Sequence, residues 1–297
     1  MKKKILFKKI VFSLVILIVL IIGTVYLWST ILLNKTYSIP PTAVNLPVDA
    51  GSVREGSRLT RIAHCGDCHG ENFTGRIFEG IDPKIATLVA PNLTQIIPGY
   101  TNEELKRVIT YGVKNNGHSV YEMPAFMYHE LKEESVSKII AYLRTLKPEP
   151  NSRGLPNKSS FTFIGRLSLI KGQLSPIADM IKPNTTGQYI PQDTTQLSFG
   201  KYLTMSTCTS CHGADLKGFE GFSPNLIIAA AYKREDLFKL LRTGVAIGDR
   251  KLGLMSIVTK NYLSHLNDNE INCIYDYLQT KPTNEIKLAV ENETNMK

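Results

Sequence analysis

The spacing of hydrophobic positions changes along this chain, and each spacing predicts a different element. From Ile10 to Asn34 no residue is charged, and Leu14 to Ile22 is an unbroken aliphatic run. A helix of that length reaches roughly 37 Å, against about 30 Å for a bilayer hydrocarbon core, so residues 10–34 predict a transmembrane helix. Residues 35–50 carry Pro40, Pro41 and Pro47 and predict an extended tether. Beyond them the period becomes helical. Leu105, Val108 and Ile109 keep the i, i+3, i+4 spacing of a buried helix face, Thr101-x-x-Glu104 offers a capping box, and Gly112 a stop. Val136, Ile139, Ile140 and Leu143 predict a second amphipathic helix, and Ile271, Ile274, Tyr275 and Leu278 a third.

These helices belong to two copies of one unit. Cys65-Gly-Asp-Cys68-His69-Gly70, followed by Asn72-Phe73-Thr74-Gly75, matches Cys208-Thr-Ser-Cys211-His212-Gly213, followed by Asp215-Leu216-Lys217-Gly218. Pro91-Asn92-Leu93 then answers Pro224-Asn225-Leu226. The stretch from Glu103 to Gly112-Val113 answers that from Glu235 to Gly244-Val245. Both copies close on Tyr-Leu-x-Thr (Tyr142 to Thr145, Tyr277 to Thr280), with Pro148 or Pro282 soon after. The expected organisation is a basic tip at 1–9, the anchor at 10–34, the tether at 35–50, and a first helical domain at 51–148. A Pro-rich connector at 149–192, a second domain at 193–283 and a polar tail at 284–297 complete it. The apolar stretch Phe161 to Ile170 departs from a plain linker and is expected to pack across the two domains.

Composition changes this picture little. With 297 residues, 43% hydrophobic and 21% charged, the chain suits two domains of about 100 residues and not wholesale disorder. Of the net charge of +9, the five lysines before residue 10 supply more than half, so no nucleic-acid partner is expected. Those lysines precede the apolar segment and only Lys35 follows closely. The positive-inside bias therefore predicts that everything after residue 35 lies outside the cytoplasm. Tyr26 and Trp28 would anchor the outer interface. The alternative is a cleaved signal peptide, but the apolar run is long for one and no Ala-x-Ala pattern follows.

Four of the five cysteines form the two Cys-x-x-Cys-His patterns, and Cys273 stands alone. In such a pattern the two thiols can add to the vinyl groups of a haem, and the adjacent histidine can ligate its iron. Residues three apart share a helix side, so Cys65 with Cys68, and Cys208 with Cys211, can reach one porphyrin edge. His69 and His212 are then the first axial ligands, and the cofactors are two covalent haem c groups. A redox dithiol would need a strand–helix context that neither flank provides. A zinc site would need a second pair nearby, whereas Cys68 and Cys208 are 140 positions apart.

Methionine is a common sixth ligand, and the chain has seven. For the second unit Met205 is too close to its own motif, Met296 lies in the tail and Met180 in the connector. Met255, read as part of a glycine-rich loop, remains. For the first unit the loop offers Met123 and Met127. Met123 is favoured because Pro124 stiffens the loop behind it, which leaves Met127 to line the pocket or the core. His64 reads as an exposed or capping residue, and His118, His129 and His265 as surface residues that could still replace a methionine. Cys273 reads as a half-buried free thiol, at the place that Lys138 takes in the first unit.

With these residues in view, each half resembles a class I c-type cytochrome domain, over about residues 51–148 and 193–283. The resemblance implies an all-α fold of two tandem helical domains, each wrapped around one covalent haem with His/Met ligation (His69 and Met123, His212 and Met255). Tandem members of this kind are similar to cytochrome subunits of membrane-bound dehydrogenases and to electron donors of terminal oxidases. The implied role is non-catalytic electron transfer on the periplasmic side of the cytoplasmic membrane, with such redox proteins as partners. The rival is a dihaem peroxidase-like enzyme, which would need an open or bis-histidine iron.

Overall fold

A computed structural model describes residues 2–129, 131–181 and 195–281. The end of the connector, Pro282, Met296 and the polar tail lie outside the described residues. Helix α1 (Lys2–Leu33) runs unbroken, and its stretch Lys4–Leu33 has a mean hydropathy of 3.0. That is long and apolar enough to cross a membrane, although a signal sequence would meet the same description. Its aliphatic side chains from Ile10 to Ile22 are exposed, as expected of a helix whose partner is lipid.

The first unit contains α2 (Ala50–Ile62), α3 (Cys65–His69), α4 (Leu93–Ile96), α5 (Asn102–Tyr111), α6 (Ala125–Tyr128) and α7 (Glu133–Leu143). The connector carries α8 (Phe163–Ile170) and α9 (Ile177–Met180). The second unit follows with α10 (Gln196–Thr207), α11 (Thr209–His212), α12 (Arg234–Thr243), α13 (Leu254–Asn261) and α14 (Asp268–Gln279). Each unit closes on its own core, one around Ile109, Val136 and Ile140, the other around Leu240, Ile271 and Ile274.

Local chemistry sets the helix ends. Thr101 and Glu104 form the expected capping box of α5, and Asn267 with Glu270 forms another on α14. Helices α5 and α12 stop at Gly112 (φ 67°) and Gly244 (φ 74°), left-handed positions that glycine adopts without strain. In both units the first helix crosses the last at a glycine. A Cβ at Gly56 would lie 1.9 Å from the Lys138 carbonyl oxygen, and one at Gly200 would lie 1.9 Å from that of Cys273. The backbones thus touch, and Lys138 and Cys273 occupy equivalent places.

Three features depart from the sequence reading. First, the fold is mostly helical but not wholly so. His69 and Pro91 are 22 positions apart where His212 and Pro224 are only 12, and the surplus folds into a hairpin. Its strands β1 (Arg76–Phe78) and β2 (Ala86–Ala90) are antiparallel, and β3 (Ser160–Phe161) from the connector pairs with β2. Second, the tether is extended but fastened. Arg107 donates to the Ile39 carbonyl, Lys106 to that of Ala43, and Val44 enters the first core. Third, the described part of the connector packs on α1 and the first unit, and Phe161 to Ile170 does not lie across the two units among the described residues. Helix α8 lies against α1, and Ile177 and Ile181 pack on Ala125.

The two units meet directly. The Arg58 guanidinium of α2 bonds both carboxylate oxygens of Glu270 (2.7 and 2.9 Å) and the His265 carbonyl (3.0 Å). Ile62, also of α2, is buried in the core of the second unit.

Candidate haem sites

Each Cys-x-x-Cys-His pattern begins where the first long helix of its unit ends. In the second unit α10 passes into α11 through Cys208. In the first, Gly56 stands nine residues before Cys65, one more than separates Gly200 from Cys208. His64 takes up the extra residue in a left-handed turn (φ 56°), so the motif begins again as α3.

After the motif the two units repeat the same turn, bond for bond. The amide of Gly75 donates to the His69 carbonyl (2.9 Å) and that of Gly218 to the His212 carbonyl (2.8 Å). Phe73 and Leu216 sit at φ 59° and 63°, and their carbonyls accept from Leu93 and Leu226, both at 2.8 Å. The Pro-Asn-Leu step is thereby pressed against the turn. A Cβ at Gly75 would meet the Asn92 nitrogen at 2.9 Å, and one at Gly218 the Ser223 carbonyl oxygen at 2.2 Å. Side chains of Asn92 and Asn225 cap the helical turns that follow.

The result is a fixed imidazole in each unit. Nδ1 of His69 bonds the Pro91 carbonyl oxygen, and Nδ1 of His212 that of Pro224, both at 2.9 Å. A carbonyl can only accept, so Nδ1 carries the proton and Nε2 is the basic nitrogen left for a metal. Desolvation also lowers the pKa of His69, which favours the neutral, ligating form.

The competing uses of the thiols fit poorly. A reactive dithiol needs a depressed pKa, whereas burial pushes Cys65 up to about 12 and Cys208 up to about 11. None of the five cysteines is paired with another in a disulfide. Among the described residues, no three or more His, Cys, Asp or Glu side chains gather as a metal site, so a zinc cluster has no basis here. The donor set of each unit, two thiols three positions apart and a carbonyl-fixed histidine, instead fits a covalent haem.

The methionine loops share one register. Val113 bridges Ser119 after Gly112, and Val245 pairs with Lys251 after Gly244. Met123 and Met255 each follow four positions after the second partner, eleven after the glycine. Met123 is half-buried against the first core, and Met255 borders the second. Met127, on α6, is buried at 4% exposure within the first core. Met255 is not in a loop as expected but is the second residue of α13, entered through Gly253 (φ 54°). The Ser256 hydroxyl donates to the Gly244 carbonyl and accepts the Leu252 amide, so α13 is sewn to the end of α12.

Several neighbours differ from their sequence reading. His129 is buried, with Nδ1 3.2 Å from the Thr110 carbonyl oxygen and its ring edge-on to Tyr111. His118 is half-exposed and bonds the Lys35 carbonyl, and half-exposed His265 lies at the junction of the units. Cys273 is fully buried at 1% exposure, because its backbone lies under Gly200. His64 is half-buried and stands at the N-cap position of α3, as a capping residue would, but its side chain makes no capping hydrogen bond. Its ring lies 4.4 Å from that of Tyr262, and the Tyr262 hydroxyl donates to the Asp67 carboxylate. Asp67 stands between the two cysteines of the first motif, so a side chain of the second unit touches the first site. Sequence spacing holds no signal for this contact across 195 positions.

The fold and these sites define a cytochrome c, and the chain belongs to that family. The family model for cytochrome c matches residues 53–147 and again 198–281. Covalent haem c is the cofactor that the family carries. Among characterised proteins, the chain is 26% identical over 264 residues to the fructose dehydrogenase cytochrome subunit of Gluconobacter japonicus, covering 78% of this chain and 53% of that one. It is 23% identical over 270 residues to the gluconate 2-dehydrogenase cytochrome c subunit of Pantoea cypripedii, covering 77% and 59%. The chain thus spans little more than half the length of these relatives.

Proposed function

We propose that this chain is a dihaem electron carrier, a non-catalytic subunit anchored by α1 on the outer side of the cytoplasmic membrane. It passes electrons from a membrane dehydrogenase to a downstream acceptor such as a terminal oxidase. Cys65 and Cys68 would hold one haem and Cys208 and Cys211 the other. His69 with Met123, and His212 with Met255, would be the axial ligands. Each haem supplies a one-electron iron couple. The protein's own part is to fix the histidine tautomer through Pro91 and Pro224 and to exclude water with apolar walls. A methionine ligand favours the reduced state relative to a second histidine.

One observation carries this reading. The Nδ1-to-carbonyl bond occurs in both units, and in both a methionine follows the left-handed glycine by eleven positions. With a histidine and a methionine on each iron both coordination shells would be closed, which suits electron transfer and would leave no position for a peroxide. The names of the two relatives support a dehydrogenase as the donor.

Pyridine haemochrome analysis of the purified full chain is expected to give two c-type haems per polypeptide. One or none would overturn the count. Rapid peroxide turnover by the reduced protein would favour an enzyme instead. Purification of the native assembly with a dehydrogenase would fix the donor.

A further inference from the structure

The connector helix α8 has a face that neither unit covers. Gly165 and Leu169 form its inner side, where a Cβ on Gly165 would meet the Ile85 carbonyl oxygen at 2.1 Å. Thr162 caps the helix and donates to the carbonyls of Lys84 and Ile85. On the outer side Phe163 is 37% and Ile164 54% exposed, although both are large and apolar. Isolated exposed apolar residues need no explanation, but these two are continuous with the apolar surface of α1.

That continuity is built by specific contacts. Arg166 donates to the hydroxyls of Ser29 (2.8 Å) and Thr30 (3.2 Å), and its guanidinium lies 4.6 Å from the centre of the Tyr26 ring. The rings of Tyr26 and Phe163 are 6.4 Å apart. Val25 and Ser29 are buried, whereas the residues of α1 from Lys4 to Thr24 are exposed. Depth follows from helix geometry. Counting from Lys9, about 20 residues at a rise of 1.5 Å cross a core of about 30 Å, which brings the far boundary to residue 29 or 30. Helix α8 therefore docks on α1 at the level of the lipid headgroups, against Tyr26, Ser29 and Thr30. Exposed Lys84 and Lys171 lie at its two ends, where anionic headgroups would meet them.

We infer that α8 is an interfacial membrane helix, with Phe163 and Ile164 inserted into the outer leaflet of a phospholipid bilayer. The first unit then rests on the membrane surface instead of swinging on a tether. This inference uses the proposed anchoring by α1, and the two can be tested apart.

The holo, full-length chain is placed in nanodiscs of phosphatidylcholine and phosphatidylglycerol that include a lipid with a photoactivatable acyl chain. Tryptic peptides are then read by mass spectrometry. Lipid adducts are expected on residues 10–35, from α1, and on residues 159–166, which contain Phe163 and Ile164. The peptide of residues 36–54, with exposed Val48, serves as background. Ile164→Glu should reduce adducts on 159–166 at least tenfold and leave those on 10–35 unchanged. Adducts on 10–35 alone would overturn the inference and leave the anchor standing. If 10–35 is absent or unlabelled, the anchor reading fails, and the yield on 159–166 still decides for or against α8. In a Cys273→Ser background, Ile164→Cys should resist a membrane-impermeant maleimide. Such protection without lipid adducts would put a protein on this face and overturn the assignment to lipid.

Discussion

Met123 and Met127 are four positions apart and chemically identical, so only their placement distinguishes them. Met127 is in the core, whereas Met123 repeats the register of Met255. Met123→Ala and Met255→Ala should each open one iron to carbon monoxide, read as about one carbon monoxide bound per chain in the reduced spectrum, and two in the double variant. Met127→Ala should leave both irons closed and instead cost roughly 2–5 kcal/mol of stability by emptying a packed site. Carbon monoxide binding by Met127→Ala would reverse the assignment. At this scale the sequence displayed the cysteines and histidines openly, because thioether attachment demands a fixed local spacing. It could not display the orienting carbonyls of Pro91 and Pro224, since a backbone acceptor carries no residue signature. The burial of His129 was equally hidden, because it depends on Thr110 and Tyr111 of a different helix.

Among the elements, the glycine crossings of α2 with α7 and of α10 with α14 control how the long helices enclose each site. Gly200→Ala would drive a methyl group into the Cys273 carbonyl, with no flexible side chain at the contact to yield. Such overpacking costs typically 1–3 kcal/mol. It should lower the melting temperature of the second unit and leave the first transition in place, as calorimetry would resolve. Gly56→Ala should do the reverse, through Lys138. A single unshifted transition would mean that the helices slide apart freely. Helices α5, α7, α12 and α14 were legible because capping boxes, left-handed glycines and a 3.6-residue period mark them locally. Strands β1 to β3 were not, since three short segments far apart in sequence make that sheet and each alone looks like loop. Helix α13 was masked by Gly248 and Gly253, which read as a loop although Gly253 only supplies the turn into the helix.

For the whole molecule, the junction of the units fixes how the two proposed haem sites stand to one another. Arg58 bonds Glu55 of its own helix and Glu270 of the other unit, whose side chain is only 9% exposed. Removing Arg58 strands a nearly buried carboxylate, a loss of roughly 1–3 kcal/mol. A double-mutant cycle of Arg58→Ala with Glu270→Ala should therefore show coupling well above that of an exposed pair. The hydrogen bond from Arg58 holds the Glu55 carboxyl below its usual 4.5. A depressed folded pKa gives stability that is present above that usual value and lost as pH falls through the folded one. Acid should thus remove the stability that Glu55 gives to α2 as pH falls below about 4.5, and Arg58→Ala should abolish that pH dependence in thermal melts recorded across the acid range.

The same junction lies between the two proposed haem sites. Met255 and Tyr262 stand seven residues apart on α13 and its cap, about 10 Å along the helix. Tyr262 ends on Asp67, between the cysteines of the first site. A continuous stretch of chain therefore runs from the methionine proposed as ligand of one iron to the segment proposed to attach the other haem. Electron tunnelling decays exponentially with distance, so a small separation of the units lowers the rate far more than it changes either site. The double variant Arg58→Ala, Tyr262→Phe should keep two haems and both carbon monoxide-resistant irons. Its internal electron equilibration, followed after flash reduction of one haem, should slow severalfold relative to the native chain. An unchanged rate with the junction demonstrably loosened would show that these contacts hold the units together without setting the path between the irons.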